Sequence, residues 1–252
     1  MKILILKYLV RSVLILRYHF HKLTRTGTFG SDGAIPMEAC CKKTDNPIKE
    51  GLFRHHVKQF HESSCSVASV VCVVNTLLER NGSLPDPPLT QQDILERVRT
   101  AHWKERMGPN GYRGKRGLPL DILGNITRSA LETYRIPYAS IETVGAGSEN
   151  SKHFEKTLRK RLEEFETLGN SIIIAHFDQG SFLRELNIPH ISPVGGFDLQ
   201  TGRVTLLDVD PSQIEPYEIS FARFCKGIST HYYHMFRLFG YGRGGYIHIR
   251  LQ

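Results

Sequence analysis

Apolar positions recur at helical spacing most clearly in residues 59–81, QFHESSCSVASVVCVVNTLLERN. There Val67, Val70, Val71, Val74, Leu77 and Leu78 fall on one face of a helix. Asn81-Gly82 supplies a C-terminal cap, and Ser63 and Ser64 are natural N-cap residues. Cys65 then lies in the first turn, where free backbone N–H groups and the positive end of the helix dipole stabilise a thiolate. A lone cysteine at a helix start is nevertheless read more simply as a small packing residue. Cys72, seven residues on and inside the apolar run, reads as plain core.

The same periodicity orders the rest of the chain. A Pro-rich turn over 84–88 precedes a helix through Val98, with Thr90 as N-cap and Asp93 three residues later. Residues 101–117, AHWKERMGPNGYRGKRG, lack periodicity and read as a Gly-rich basic loop with the only tryptophan. An amphipathic helix follows over 118–136, then a strand over 138–144. A helix over 152–168 places Phe154, Leu158, Leu162 and Phe165 on one face and its charges on the other. Ile172-Ile173-Ile174-Ala175 is a short buried strand. In PHISPVGGFDLQTGRVTLLDVDP two β-rich runs flank Gln200-Thr201-Gly202, which predicts a hairpin. A helix over 220–226 and a strand over 246–251 end the pattern. Helices followed by an antiparallel sheet make the expected class α+β.

Charge changes the picture only at the N-terminus. The 252 residues carry a formal +8, yet Lys2, Lys7, Arg11, Arg17, Lys22 and Arg25 precede the first acid, Asp32, leaving +2 for the remainder. A near-neutral body gives no footprint for nucleic acid. Residues 1–18, MKILILKYLVRSVLILRY, are apolar but interrupted by Lys7 and Arg11, short of the ~20 residues of a clean span. They fit a signal-anchor, a basic amphipathic helix on a membrane, or an organelle presequence. The expected organisation is a targeting or membrane-tether segment over 1–31, a linker over 32–45 and one globular domain over 46–252. Localisation follows the tail: membrane-associated or exported if it acts, cytoplasmic otherwise.

Five cysteines (Cys40, Cys41, Cys65, Cys72, Cys225), an odd number without C-x-x-C, indicate neither a disulfide framework nor a zinc ribbon. A thiolate nucleophile needs a base, and the base an orienting partner. The hairpin offers both: His190 opens its first strand, and Asp208 near the end of the second falls within two or three residues of it in register. Gln59 adds an amide just upstream of Cys65, suited to an oxyanion together with the Cys65 backbone N–H. Lys104, Arg106, Arg113, Lys115 or Arg116 can hold a substrate carboxylate, although a solvated loop explains them as well.

Gln59 six residues before Cys65, Ala68-Ser69 and Asn75 after it, HISPVGGFD over 190–198 and the eighteen-residue step from His190 to Asp208 resemble the phytochelatin synthase family of papain-like cysteine peptidases. The resemblance spans roughly residues 50–230. It implies a papain-like fold, with Cys65 as nucleophile, His190 as base, Asp208 as orienting acid and Gln59 as oxyanion donor. It implies attack on the Cys–Gly bond of glutathione, a γ-glutamylcysteinyl thioester, and then hydrolysis or transfer to a second glutathione to give phytochelatin. No cofactor is required, and heavy-metal ions enter as metal–thiolate complexes of the substrate. The chain reads as a short form, without the cysteine-rich C-terminal domain. Two departures stand out. Ser64 and Ser66 flank Cys65 where the family shows an aromatic residue and glycine. Val209-Asp210-Pro211-Ser212 follows Asp208 where the family carries a basic and aromatic run.

Other signals are weaker. His55, His56 and His61, and His231 with His234, lack partners at metal-ligand spacing. Gly240-x-Gly242-x-x-Gly245 precedes a strand, whereas a dinucleotide fingerprint must follow one. Two readings compete with the glutathione enzyme. One is a papain-like peptidase acting on another small peptide or leader; the other is a membrane-tethered, non-catalytic binding protein.

Overall fold

The computed structural model describes residues 34–37, 45–146, 151–183, 188–229 and 241–252, with residues 5, 6, 8–10, 12, 13, 16 and 20 of the N-terminal stretch. Cys40, Cys41, His231, His234 and Gly240 lie outside the described residues.

Strand β3 (Ser171–Asp178) explains the layering, because all eight of its residues are buried. Successive strand side chains point to opposite faces. Ile172 and Ile174 therefore join one core with Ile191, Ile247 and Ile249, while Ile173, Ala175 and Phe177 join another with Val194, Phe197 and Tyr246. A strand covered on both sides has no polar alternation, hence the unbroken apolar run in the sequence.

The sheet contains β1 (Ile35–Pro36), β2 (Ser140–Gly145), β3, β4 (Pro189–Phe197), β5 (Arg203–Leu206), β6 (Tyr217–Ser220) and β7 (Gly245–Arg250). Their order is β1-β6-β5-β4-β3-β7-β2, antiparallel throughout. The first core is covered by helices α1 (Pro47–Arg54), α2 (Cys65–Arg80), α3 (Gln91–Arg97), α4 (Trp103–Met107) and α5 (Leu120–Thr133). The second lies under α6 (Ser151–Leu168) and α7 (Phe221–Ile228). The architecture is a mixed α and β one with an antiparallel sheet.

Helix α2 is the axis of the first layer. Every residue from Cys65 to Leu78 is buried, so it is enclosed on all sides and not only along its valine stripe. Its polar side chains are spent on backbone groups: Thr76 Oγ1 donates to Cys72 O (2.8 Å), and Asn75 exchanges two hydrogen bonds with Leu89 (2.9 and 3.1 Å). Gly51 of α1 packs so closely that a Cβ there would stand 2.7 Å from Thr76 Cγ2. The helix ends at Asn81 with Gly82 in the left-handed region (φ 65°). Gly82 N–H bonds to Glu79 O and Ser83 N–H to Leu78 O, the paired bonds of a Schellman cap. The capping box at Thr90 and Asp93 forms as the sequence predicts.

Several features differ from the sequence reading, among them α1 and β6, which it does not predict. Residues 101–117 are not a plain loop: a 3-10 turn (Thr100–His102) leads into α4, and Trp103 is fully buried. A strand pair joins the early and late chain, since β2 forms the sheet edge against β7. β1 lies inside the stretch read as linker and pairs with β6. No helix among the described residues is long and apolar enough to cross a membrane. Of the described apolar side chains of the N-terminal stretch, Ile5, Leu6, Tyr8, Leu9, Val13, Leu16 and Phe20 are exposed and Val10 is half-buried.

Candidate active site

Cys65 is the first residue of α2 and is 8% exposed. Ser64 precedes it as the N-cap by position, but its hydroxyl turns back. It accepts from His61 N–H (3.0 Å) and donates to His61 O (2.8 Å) instead of capping the helix. Val67 and Ala68 N–H bond to Ser64 O, so the Ser64 side chain caps none of the first-turn N–H groups and leaves the Cys65 N–H unbonded by it.

The hairpin brings His190 to this point. β4 and β5 pair Val194 with Leu206, with a register shift between Val194 and Gly196. Carried outward, that pairing would set His190 opposite Asp210, and Asp208 lies two residues nearer the turn. Its carboxylate still reaches: His190 Nε2 donates to Asp208 Oδ1 at 2.7 Å. Ser69 Oγ bonds both Cys65 O (2.8 Å) and Ile191 O (3.0 Å), which ties the first turn of α2 to β4 beside His190. The Cys65 thiol lies near enough to favour the charged imidazole. Phe177, opposite His190 across β3 and β4, packs edge-on against the ring at 5.4 Å and limits its rotation.

Asp208 is completely buried and fully bonded. Besides His190, Oδ1 accepts the Asp210 N–H (2.9 Å) and Oδ2 accepts the Tyr217 hydroxyl (2.7 Å). Burial opposes its charge, but His190, then the Asp210 N–H and Tyr217, outweigh that and keep the carboxyl below its ordinary 3.8. Burial likewise disfavours the imidazolium of His190. The Asp208 carboxylate and then Cys65 overcome it, so the pKa of His190 rises well above 6.5. The arrangement suits a thiol that can pass its proton to a histidine held in one orientation.

Gln59 is tied to the same corner through its backbone, donating its N–H to Val209 O at 2.8 Å. Lys58 Nζ (2.7 Å) and His56 Nε2 (3.0 Å) both donate to Asp208 O, which fixes the segment entering the nucleophile turn. The Gln59 side-chain Oε1 is buried and has no hydrogen-bond partner among the described residues. That oxygen is an acceptor open to a substrate N–H, since buried polar groups ordinarily find partners; the donor that an oxyanion needs is the Nε2 of the same amide.

The serines flanking Cys65 acquire a role. Of the two, Ser66 Oγ accepts from Trp103 Nε1 (3.1 Å), while Ser64 stays on His61. Ser63, one residue further out, donates its Oγ to Met107 O (3.1 Å), so α4 is fastened to the Cys65 turn on both sides of the thiol. Neither this nor Tyr217 was identified from sequence. Tyr217 opens an unpredicted strand, and Trp103 gave only the signal of a single tryptophan in a glycine-rich run.

Other singled-out residues go elsewhere. His55 pairs with Glu79 (3.0 Å), and His61 packs on Phe60. No group of three or more metal-ligating side chains occurs among the described residues. A cavity of about 670 Å³ opens between α6 and the ends of β2, β3 and β7, lined by residues including Lys156, Arg161, Ser171 and His248. It contains none of the four candidate catalytic residues. The chemistry of the side chains, and not cavity size, makes the start of α2 the candidate site.

A comparison with curated proteins finds no match. A protein-family model described as phytochelatin synthase matches residues 30–233, which include α2, the hairpin and Asp208. The chain therefore belongs to the phytochelatin synthase family, and is an enzyme of the glutathione γ-glutamylcysteinyltransferase kind.

Proposed function

We propose that the chain is a papain-like cysteine enzyme that cleaves the Cys–Gly bond of glutathione through an acyl-enzyme on Cys65. The observation that carries the reading is the buried His190–Asp208 pair on the strand that Ser69 ties to the Cys65 turn. In the first half-reaction the thiol gives its proton to His190 and the sulfur attacks the cysteinyl carbonyl carbon. The oxygen of the tetrahedral intermediate is met by the Cys65 backbone N–H and the Gln59 amide. Collapse breaks the C–N bond, His190 returns the proton to the amine, and glycine leaves. The γ-glutamylcysteinyl group remains as a thioester.

In the second half-reaction His190 takes a proton from water or from the amine of a second glutathione. Attack on the thioester releases γ-glutamylcysteine or a lengthened peptide and restores the thiol. No step runs through a metal ion, which enters only as part of a metal–thiolate substrate. The test is glycine release from glutathione by the wild type and Cys65→Ser, with products identified by mass spectrometry with and without cadmium. Loss of release in the variant is expected. Wild-type turnover in Cys65→Ser, or faster cleavage of unrelated peptides than of glutathione, overturns the reading.

A further inference from the structure

The five basic residues of 101–117 are not equivalent in the fold. Lys104 pairs with Glu96, and Arg113 is exposed with its guanidinium 5.2 Å from the Tyr112 ring. Arg106 and Arg116 differ. Arg106 is only 8% exposed; its Nε donates to Ala101 O (3.0 Å), while Nη1 is buried with no hydrogen-bond partner among the described residues. Arg116 is half-buried, its Nη2 donating to Ser63 Oγ (3.2 Å) and its Nε buried without a partner. Neither forms an ion pair among the described residues, and the Arg106 guanidinium has only the Tyr112 ring, 5.9 Å away, to offset its charge. Removing a guanidinium from water without a carboxylate is unfavourable, and such a group is retained where something else supplies the negative charge.

Their position indicates what that is. Ser63 stands two residues before Cys65 and holds both Arg116 Nη2 and Met107 O, next to Arg106. The Tyr241 hydroxyl donates to Arg116 O (3.4 Å), and Tyr241 lies within electrostatic range of Cys65, Arg106 and Arg116 together. Between Asp208 and Ser212 there is no lysine or arginine, so this loop brings cations to the nucleophile from the other side.

We propose that Arg106 and Arg116 form a carboxylate clamp beside Cys65 that binds a terminal carboxylate of the peptide substrate. This rests on the reading of Cys65 as the nucleophile for a γ-glutamyl peptide. The guanidinium fork matches a carboxylate in two-point geometry, which a lysine would not reproduce. Glutathione offers two such groups, the glycine carboxylate and the α-carboxylate of the γ-glutamyl residue.

Trp103, the only tryptophan, is bonded to Ser66 on the same turn, so its emission reports binding without requiring turnover. The titrations use a common Cys65→Ser background, which leaves the Cys–Gly bond of the ligand uncleaved; this parent is the wild type of the comparisons below. S-methylglutathione should bind about tenfold or more weakly to Arg106→Met and to Arg116→Met than to the parent. Lysine at either position should restore only part. Two analogues identify the end that is gripped: the C-terminal glycinamide, and 4-aminobutyryl-Cys-Gly, which lacks the α-carboxylate. The wild type should lose about the same factor on one of them, and the arginine variants nothing further on that one. If Arg106→Met is unfolded by circular dichroism, Arg116→Met carries the test alone. Equal affinity of wild type and folded variants for S-methylglutathione overturns the clamp. Glycine release fails independently if the catalytic reading is wrong, because the titration does not depend on it.

Discussion

Cys65 and Cys72 stand two turns apart on one helix and are chemically the same residue, yet their surroundings oppose each other. Cys72 is fully buried in the apolar core and its Sγ donates to Leu52 O (3.3 Å). Burial pushes its thiol far above the ordinary range, which leaves it an inert packing group. Cys65 sits at the first turn, with His190 at its sulfur and with the serine-anchored basic segment around it. Cys225 resembles Cys72, its thiol raised to about 12 chiefly by burial. Position within a helix, and what the sheet brings to that position, separates the proposed nucleophile from a filler.

The comparison can be broken most severely at the thiols themselves. Cys65→Ser should lower glycine release by about 10³-fold or more, because the hydroxyl is a much weaker nucleophile beside the same base. Cys72→Ala should retain turnover and lose stability by about 1 kcal/mol, seen as a lower melting temperature. Loss of turnover from the Cys72 variant with an intact fold would reverse the roles.

Asp208→Asn should be next, lowering kcat/KM by about 10²- to 10⁴-fold. It also tests the charge on His190. The carboxylate raises the imidazole, so its contribution to stability is fully present below the ordinary value near 6.5 and is lost as pH rises through the elevated one. Asp208 is depressed, so its own contribution is present above 3.8 and lost as pH falls through its lower folded value. The variant should therefore move the basic limb of the activity profile to lower pH. An unmoved limb would detach His190 from Asp208.

Gln59→Ala should follow, with about a 10²-fold loss in kcat if its amide meets the oxyanion. The smallest effect is expected from Ser66→Ala. It strands the Trp103 N–H inside the core and should cost about 1–2 kcal/mol of stability, with a several-fold rise in KM as α4 loosens. A rise in kcat would contradict the fastening role of that bond.

How much of this was legible depended on whether the signal was local. The Asn81-Gly82 cap, the Thr90–Asp93 box and the hairpin around Gln200-Thr201-Gly202 are set by neighbouring residues, and the structure contains them. The juxtaposition of His190 and Asp208 follows from that hairpin. α1 was missed despite a local signal: Asn46 caps it, accepting from Ile48 and Lys49 N–H, and Pro47 stands at its first position. The β2–β7 pairing, Tyr217 behind Asp208 and the fastening of Trp103 to Ser66 join residues far apart in sequence. No periodicity encodes those contacts. The burial of Arg106 was hidden for a related reason, since a glycine-rich basic run reads as solvated until the tryptophan beside it is known to be core.

The most direct measurement is peptide mapping of the enzyme quenched in acid during turnover of glutathione. A single γ-glutamylcysteinyl thioester on Cys65, absent from Cys72 and lost in Cys65→Ser, is the predicted result. Turnover without any acyl group on Cys65, or with the group on another residue, would contradict the account.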